Sequence, residues 1–239
     1  MKKITGILLS ILLLSGIIVN AQGKFDVGLT IKNMHYWRGL RVSNGFVTAP
    51  TVGYYNSGFS AFVWGGMSVD GNYKEVTHIV SYVKNGFGIT YTDIFNFSGV
   101  KNVEFFNYKQ DETIHLCDLA LSYDFQDKLP LKLTWATILY GNDRQAESGN
   151  SRYSTYTEAA FPVKMESYNI EPFIAAGFAL NGNDGKSLYT DNEVAGIVNV
   201  GLAVGKKVMI GNYALAVTGK LGYNLALNQA SVEIAMKLF

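Results

Sequence analysis

The strongest constraint on this chain is a two-residue alternation of apolar and polar side chains, which is clearest from Tyr73 to Phe95. In the first run of that segment one face carries Val76, His78, Val80 and Tyr82, and the other carries Glu75, Thr77 and Ser81. This is the period of a β-strand that lies between unlike environments. The sequence Lys84-Asn85-Gly86 then supplies the positive-φ residues of a tight hairpin. The segment therefore predicts two antiparallel strands.

The same alternation recurs along the chain in segments of roughly 10 residues, and we count about twelve of them. Composition agrees with a strand-rich fold, because the chain holds 25 glycines, 15 tyrosines and 14 phenylalanines but only 4 prolines. Aromatic residues gather at the ends of the segments, where a membrane barrel places its interfacial girdles. We therefore predict an all-β fold.

The lengths of the connections indicate which all-β fold this is. Long polar connections are expected near 35–47, 68–72, 96–112, 141–152, 181–193 and 224–229, and they alternate with shorter ones near 56–58, 84–86, 126–130, 164–168 and 206–212. Outer-membrane barrels have this asymmetry, with short periplasmic turns and longer external loops. A secreted soluble β-sandwich is the alternative, but it has no reason to sort its loops in this way. We predict an antiparallel transmembrane β-barrel of about twelve strands.

The N-terminus predicts export. Lys2 and Lys3 precede an apolar run from Ile7 to Val19, and Ala21 provides a small residue for cleavage. We therefore predict a signal peptide over residues 1–21, cleaved after Ala21, and a single barrel domain over residues 22–239. Removal of two lysines from 20 basic residues leaves 18 against 19 acidic ones, so no attraction to nucleic acid is expected.

The predicted location is the outer membrane of a Gram-negative bacterium, with outer-membrane lipid around the barrel. Phe239 ends the last amphipathic strand, and a terminal aromatic resembles the signal read by the barrel-assembly machinery. Phe239 nevertheless shares the phase of Lys237 and Glu233 rather than that of the apolar residues.

Asp93 also departs from the pattern, because it falls in the lipid-facing phase, where a carboxylate is tolerated only near the external rim.

The polar phase of the strands carries charges that should face the lumen. They are Asp26, Lys32, Glu75, Asp118, Asp124, Lys132, Glu158, Lys220, Glu233 and Lys237. Arg38 and Arg41 flank Gly39 at the top of the first strand, where they could line a mouth or stack on Tyr36 and Trp37. The lumen and mouth candidates are therefore Arg38, Arg41, Glu75, Asp118, Lys132, Glu158 and Lys220.

The first third of the chain resembles a known family. The residues concerned are Tyr36-Trp37-Arg38-Gly39-Leu40, Ala49-Pro50, Ser57-Gly58-Phe59, Val63-Trp64-Gly65, Glu75 and Gly88-Ile89-Thr90-Tyr91. Together they are similar to the opening portion of the TorF family, whose members are classed as porins. The resemblance covers about a quarter of the chain, from Met34 to Phe95, and implies an outer-membrane barrel with a porin function.

Enzyme chemistry finds little support in the sequence. The three histidines, His35, His78 and His115, lie in no recognisable nucleophile motif. The pair His115 and Cys117 offers only two metal ligands, and Asn181 to Gly185 lacks the spacing of a calcium loop. We predict neither enzyme activity nor a cofactor or metal. Cys117 is the sole cysteine, so no intramolecular disulfide forms.

Barrel size limits the function. About eight strands give a filled interior and 16–18 give an open channel, so a barrel of about twelve strands falls between them. The sequence favours a narrow porin that passes small polar solutes or ions passively. The alternative is a closed barrel that serves structure, adhesion or binding through its external loops.

Overall fold

The computed structural model describes residues 23–239, so the predicted signal peptide and its cleavage site lie outside the described residues. The strands are β1 (Lys24–Lys32), β2 (His35–Trp37), β3 (Leu40–Ser43), β4 (Val47–Asn56), β5 (Phe59–Ser68), β6 (Lys74–Lys84), β7 (Phe87–Asn96), β8 (His115–Asp124), β9 (Lys132–Gly141), β10 (Ser154–Ala160), β11 (Val163–Lys164), β12 (Asn169–Ala179), β13 (Ala195–Ile210), β14 (Tyr213–Asn224) and β15 (Gln229–Lys237).

Twelve of these strands form a closed antiparallel barrel. Each pairs with its neighbour in the order β1, β4 to β10, then β12 to β15, and β1 closes the ring by pairing with β15 through Thr30 and Lys237. β2 and β3 form a separate small sheet, and β11 is a two-residue extension in the turn before β12. Closure gives every barrel strand a partner on both sides, although the β1–β15 ladder covers only three residue pairs. The predicted all-β barrel of about twelve strands is confirmed.

The hairpin of β6 and β7 has the predicted antiparallel pairing and turn. His78 pairs with Asp93, and Lys84 pairs with Phe87 at the turn end of the ladder. Asn85 and Gly86 have φ angles of 52° and 84°, as the tight two-residue turn requires.

The two faces of the barrel differ in the predicted way. The outward phase exposes apolar side chains, including Val63, Val80, Ile89, Leu121, Leu133, Ile174, Val204, Leu221, Val232 and Ile234. The inward phase carries the charges, and several of them pair within the lumen, such as Lys32 with Glu233 and Lys237 with Asp26. A water-soluble barrel would have the reverse arrangement.

The connections are sorted between the two ends of the barrel. One end, called here the loop end, carries residues 33–46, 69–73, 97–114, 142–153, 180–194 and 225–228. The other, the turn end, carries residues 57–58, 85–86, 125–131, 161–168 and 211–212, together with the first and last residues of the barrel.

The predicted connection over 206–212 was wrong. β13 continues to Ile210 because its ladder with β14 is unbroken from Val200 to Ile210, although two lysines interrupt the apolar pattern there.

One long loop lies against the outside of the barrel. Residues 97–114 cover the outward faces of β7 and β8, where Tyr108 stacks on His115 with ring centroids 4.1 Å apart. The Tyr108 hydroxyl donates to Asp93 Oδ2 at 2.6 Å, and His115 Nδ1 lies 2.6 Å from Asp93 Oδ1. The outward Asp93 carboxylate therefore lies near the loop end of the barrel and is covered by protein.

Across residues 23–239, no helix has both the length and the apolar character needed to cross a membrane.

Candidate functional site

A short hairpin made of β2 and β3 lies inside the barrel and forms the centre of the candidate site. Its turn residues, Arg38 and Gly39, have φ angles of 47° and 86°. The sequence predicted a loop here, because Arg38-Gly39 is not one of the residue pairs, such as Asn-Gly or Asp-Gly, that mark a two-residue hairpin. A Cβ on Gly39 would lie 2.0 Å from the Val198 carbonyl oxygen. This close approach lets the tip of the hairpin pack against β13, so we call residues 35–43 the inserted hairpin.

Arg38 attaches the inserted hairpin to the opposite wall. Its two terminal nitrogens each donate to one Asp118 carboxylate oxygen at 2.8 Å, and one of them also donates to the Tyr189 hydroxyl at 3.2 Å. The guanidinium lies over the rings of Trp37, at 4.8 Å, and Tyr156, at 5.6 Å. The Asp118 side chain is 1% exposed. A bidentate, stacked geometry of this kind requires arginine rather than lysine.

A chain of hydrogen bonds runs from the hairpin along the lumen wall. The Tyr36 hydroxyl donates to Asn199 Oδ1 at 2.6 Å, and Asn199 Nδ2 donates to the Tyr156 hydroxyl at 2.8 Å. Tyr156 in turn donates to the Glu158 carboxylate. Lys220 lies over the Tyr36 ring at 5.3 Å, so two of the predicted lumen residues, Glu158 and Lys220, border this network.

The base of the hairpin is fixed to β1 and β15. The Tyr36 backbone N–H donates to Glu233 Oε2 at 2.9 Å, and Lys32 Nζ lies 3.4 Å from the same oxygen. Arg41 donates to Ser231 Oγ at 3.4 Å and to the Ala230 carbonyl. The hairpin is therefore held at its tip, its middle and its base.

The loop of residues 180–194 closes over the hairpin from the loop end. Tyr189 is fully buried, and its ring centroid lies 6.0 Å from that of Trp37 and 5.6 Å from that of Tyr156. Burial raises the pKa of Tyr189 to about 12, so its hydroxyl stays protonated. Asn224 Nδ2 donates to the Gly39 carbonyl at 3.3 Å and to the Tyr189 carbonyl at 3.2 Å, which joins loop, hairpin and wall.

The turn-end half of the lumen has a different lining. Its inward positions are mostly small or polar, including Ser60, Ser81, Gly88, Thr90, Ala120, Ser122, Thr134, Ala203, Gly205 and Thr218. Lys132 lies there, opposite Asp124 on the neighbouring strand, away from the inserted hairpin. The lumen thus has a filled loop-end half and a turn-end half lined by short side chains.

The structure brings some of the sequence-predicted residues together and leaves others apart. Arg38 and Asp118 form one ion pair, and Glu158 and Lys220 flank the network below it. Glu75 lines a side chamber, Arg41 sits at the β15 wall and Lys132 is at the turn end. Sequence reasoning missed Tyr36, Tyr156, Tyr189 and Asn199 as site residues, because no local motif marks them and their partners lie far away in sequence.

Within the described range, no group of three histidine, cysteine, aspartate or glutamate side chains could hold a metal ion.

The fit between Tyr36 and the wall makes a testable prediction. A Cβ on Gly222 would lie 2.1 Å from the Tyr36 hydroxyl oxygen, so Gly222→Val should push the inserted hairpin out of place. We expect trypsin to cut after Arg38 or Arg41 in this variant but not in the wild-type barrel. Gly219→Val is the matched control, since its Cβ would meet nothing within 4 Å. Equal protection of the two variants would contradict the tight packing of Tyr36.

Fold and site together define a class of protein: a closed twelve-stranded antiparallel β-barrel of the transmembrane type with a hairpin inserted in its lumen. No family model matches the sequence, and no curated protein matches it significantly.

Proposed function

We propose that the protein is an outer-membrane porin of narrow bore that passes small polar solutes or ions passively. The observation that carries the proposal is the contrast between an apolar exterior and a lumen lined by charges and small polar side chains. The resemblance to the TorF family and the exporting N-terminus support the same location and activity. In this proposal the barrel-assembly machinery inserts the chain into outer-membrane lipid.

The inserted hairpin would be the constriction of the pore. It crosses the loop-end half of the lumen, from its base at β1 and β15 to Asp118 on β8. Solutes would pass beside it, along the wall that carries Glu158 and Lys220. Opposite charges on one path give little overall ion preference, which suits a general pore for small solutes.

Planar-bilayer recording of purified, folded protein tests this proposal. We expect small, reproducible conductance steps from the wild type, and steps several-fold larger when residues 34–45 are replaced by a short glycine-serine linker. Heat-modifiable migration on gels confirms that each variant is folded before it is recorded. Fractionation with outer membranes tests the location.

A closed barrel is the second candidate, because the bidentate Arg38–Asp118 pair and the Tyr189 loop hold the hairpin firmly in the lumen. Such a barrel would act through its external loops in structure, adhesion or binding. It predicts no conductance steps from the wild type and large steps from the shortened variant. Absence of steps from both proteins would rule out a pore in either form.

A further inference from the structure

The lumen contains a side chamber whose lining differs from the rest of the interior. Its volume is about 380 Å³, and it lies between the inserted hairpin and the inward faces of β5 to β8. Known small-molecule sites occupy roughly 300–1,000 Å³ and are lined mainly by apolar and aromatic side chains. The side chamber has this lining, which includes Trp37, Trp64, Leu40, Ile79, Ile94 and Leu116.

Glu75 gives the chamber a buried carboxyl group. The residue is 8% exposed, and its carboxylate accepts hydrogen bonds from two neutral groups, Thr77 Oγ1 at 2.9 Å and Asn96 Nδ2 at 3.3 Å. Among the described side chains, no lysine, arginine or histidine nitrogen comes within 4.0 Å of it. A buried charge without a counter-ion is costly, and a bound cation would remove that cost.

The other charged groups at the chamber do not balance Glu75. Lys32 is the one lysine in the lining, and its ammonium is bound at 3.4 Å to Glu233. His35 lies in the inserted hairpin, where burial, and then the nearby Lys32, lower its pKa to about 3, so it is neutral near pH 7. One cation therefore faces two carboxyl groups, and Glu75 is the one left without a counter-ion.

From this arrangement we infer that the side chamber binds a small organic cation, an ammonium group on an aromatic or branched apolar body. The ammonium group would lie against Glu75 and beside the rings of Trp37 and Trp64, whose other neighbours include Arg38 and His35. Indole rings attract cations most strongly of the aromatic side chains. The apolar body would fill the space beside Ile79, Ile94 and Leu116. This binding does not depend on conduction, so it holds for an open or a closed barrel.

The positions of the three tryptophans allow a direct measurement. Trp37 and Trp64 line the chamber, whereas Trp135 is 46% exposed on the outside of the barrel. In the Trp135→Phe variant, the tryptophan fluorescence therefore comes only from Trp37 and Trp64, inside the lumen. We expect benzyltrimethylammonium to change their fluorescence in a saturable way in detergent-solubilised, folded protein. Benzyl alcohol and phenylacetate, its neutral and anionic counterparts, should bind at least tenfold more weakly.

Variants then test whether Glu75 is the group that recognises the cation. Glu75→Gln in the Trp135→Phe background should weaken binding of the cation at least tenfold and leave benzyl alcohol unaffected. Glu171→Gln is the matched control, because that carboxylate faces the lumen from β12 and does not line the chamber. Equal binding of all three probes, or unchanged cation binding in Glu75→Gln, would overturn the inference. The probe comparison needs no Glu75 variant, so it decides the matter even if Glu75→Gln fails to fold.

Discussion

Arg38→Met should lower the free energy of unfolding by about 3–5 kcal/mol, the range typical for breaking a buried ion pair. The Asp118 side chain is 1% exposed, and both hydrogen bonds that its carboxylate accepts come from Arg38. The variant therefore leaves a buried carboxylate without a partner. Methionine keeps much of the apolar contact of the arginine side chain with Trp37. Unfolding by urea in lipid vesicles, followed by heat-modifiable migration, measures the change.

The double variant Arg38→Met with Asp118→Asn separates charge from packing. Removing both charges avoids an uncompensated buried carboxylate, so we expect the double variant to recover most of the lost stability. Lys132→Met is a suitable control, because Lys132 lies at the turn end and is exposed. If Arg38→Met were as stable as the wild type, the ion pair would not be what anchors the hairpin.

The same variant links stability to the proposed pore. A hairpin without its anchor at Asp118 should spend more time outside the lumen, so Arg38→Met should show larger or more frequent conductance openings. A barrel that lost stability without any change in conductance would indicate that the base of the hairpin, at Glu233 and Ser231, is sufficient to hold it in place.

Much of the barrel could be predicted because its information is local. The two-residue period fixes which residues share a face, so Glu75, Asp118, Glu158 and Lys220 could be assigned to the lumen from sequence alone. Loop lengths indicated how the connections would be sorted between the two ends. Both features can be predicted without knowing which residues far apart in sequence are in contact.

The inserted hairpin could not be predicted in the same way. Its turn at Arg38 and Gly39 is not a standard hairpin pair, and nothing nearby in sequence indicates that the segment enters the lumen. Its anchor Asp118 is 80 residues away, and the acceptor of its Tyr36 hydroxyl, Asn199, is 163 residues away. These contacts exist only after the barrel has closed, and closure brings together residues that share no sequence pattern.

Asp93 breaks the alternation of apolar and polar residues, and this exception marks a contact with a distant loop that the alternation alone does not predict. A carboxylate in the lipid-facing phase needed an explanation, and residues 97–114 provide it by covering the site. His115 Nε2 bonds to the Phe105 carbonyl at 2.8 Å, so that nitrogen carries a proton. His115 Nδ1 lies 2.6 Å from Asp93 Oδ1, within hydrogen-bond distance. The outward carboxylate thus fastens the loop to the barrel wall.

Asp93→Ala should release this loop and expose the sole cysteine. The substitution removes the acceptor of both Tyr108 and His115, and hydrogen bonds to a charged group contribute about 1.5–3 kcal/mol each. Cys117 is buried beside Asp93, with its Sγ 3.9 Å from Asp93 Oδ1. If opening of the loop limits access, a loss of about 3 kcal/mol makes labelling of Cys117 by a maleimide roughly 100-fold faster.

The matched control is Asp111→Asn, which alters an exposed carboxylate in the same loop and should leave the labelling rate within a factor of two of wild type. Asp93→Asn should fall between wild type and Asp93→Ala, because an amide oxygen can still accept one of the two bonds. Labelling that is equally slow in all three variants would mean that aromatic packing of Phe105 and Tyr108 on His115 holds the loop without the carboxylate. Graded rates would instead assign the closure of this loop to Asp93.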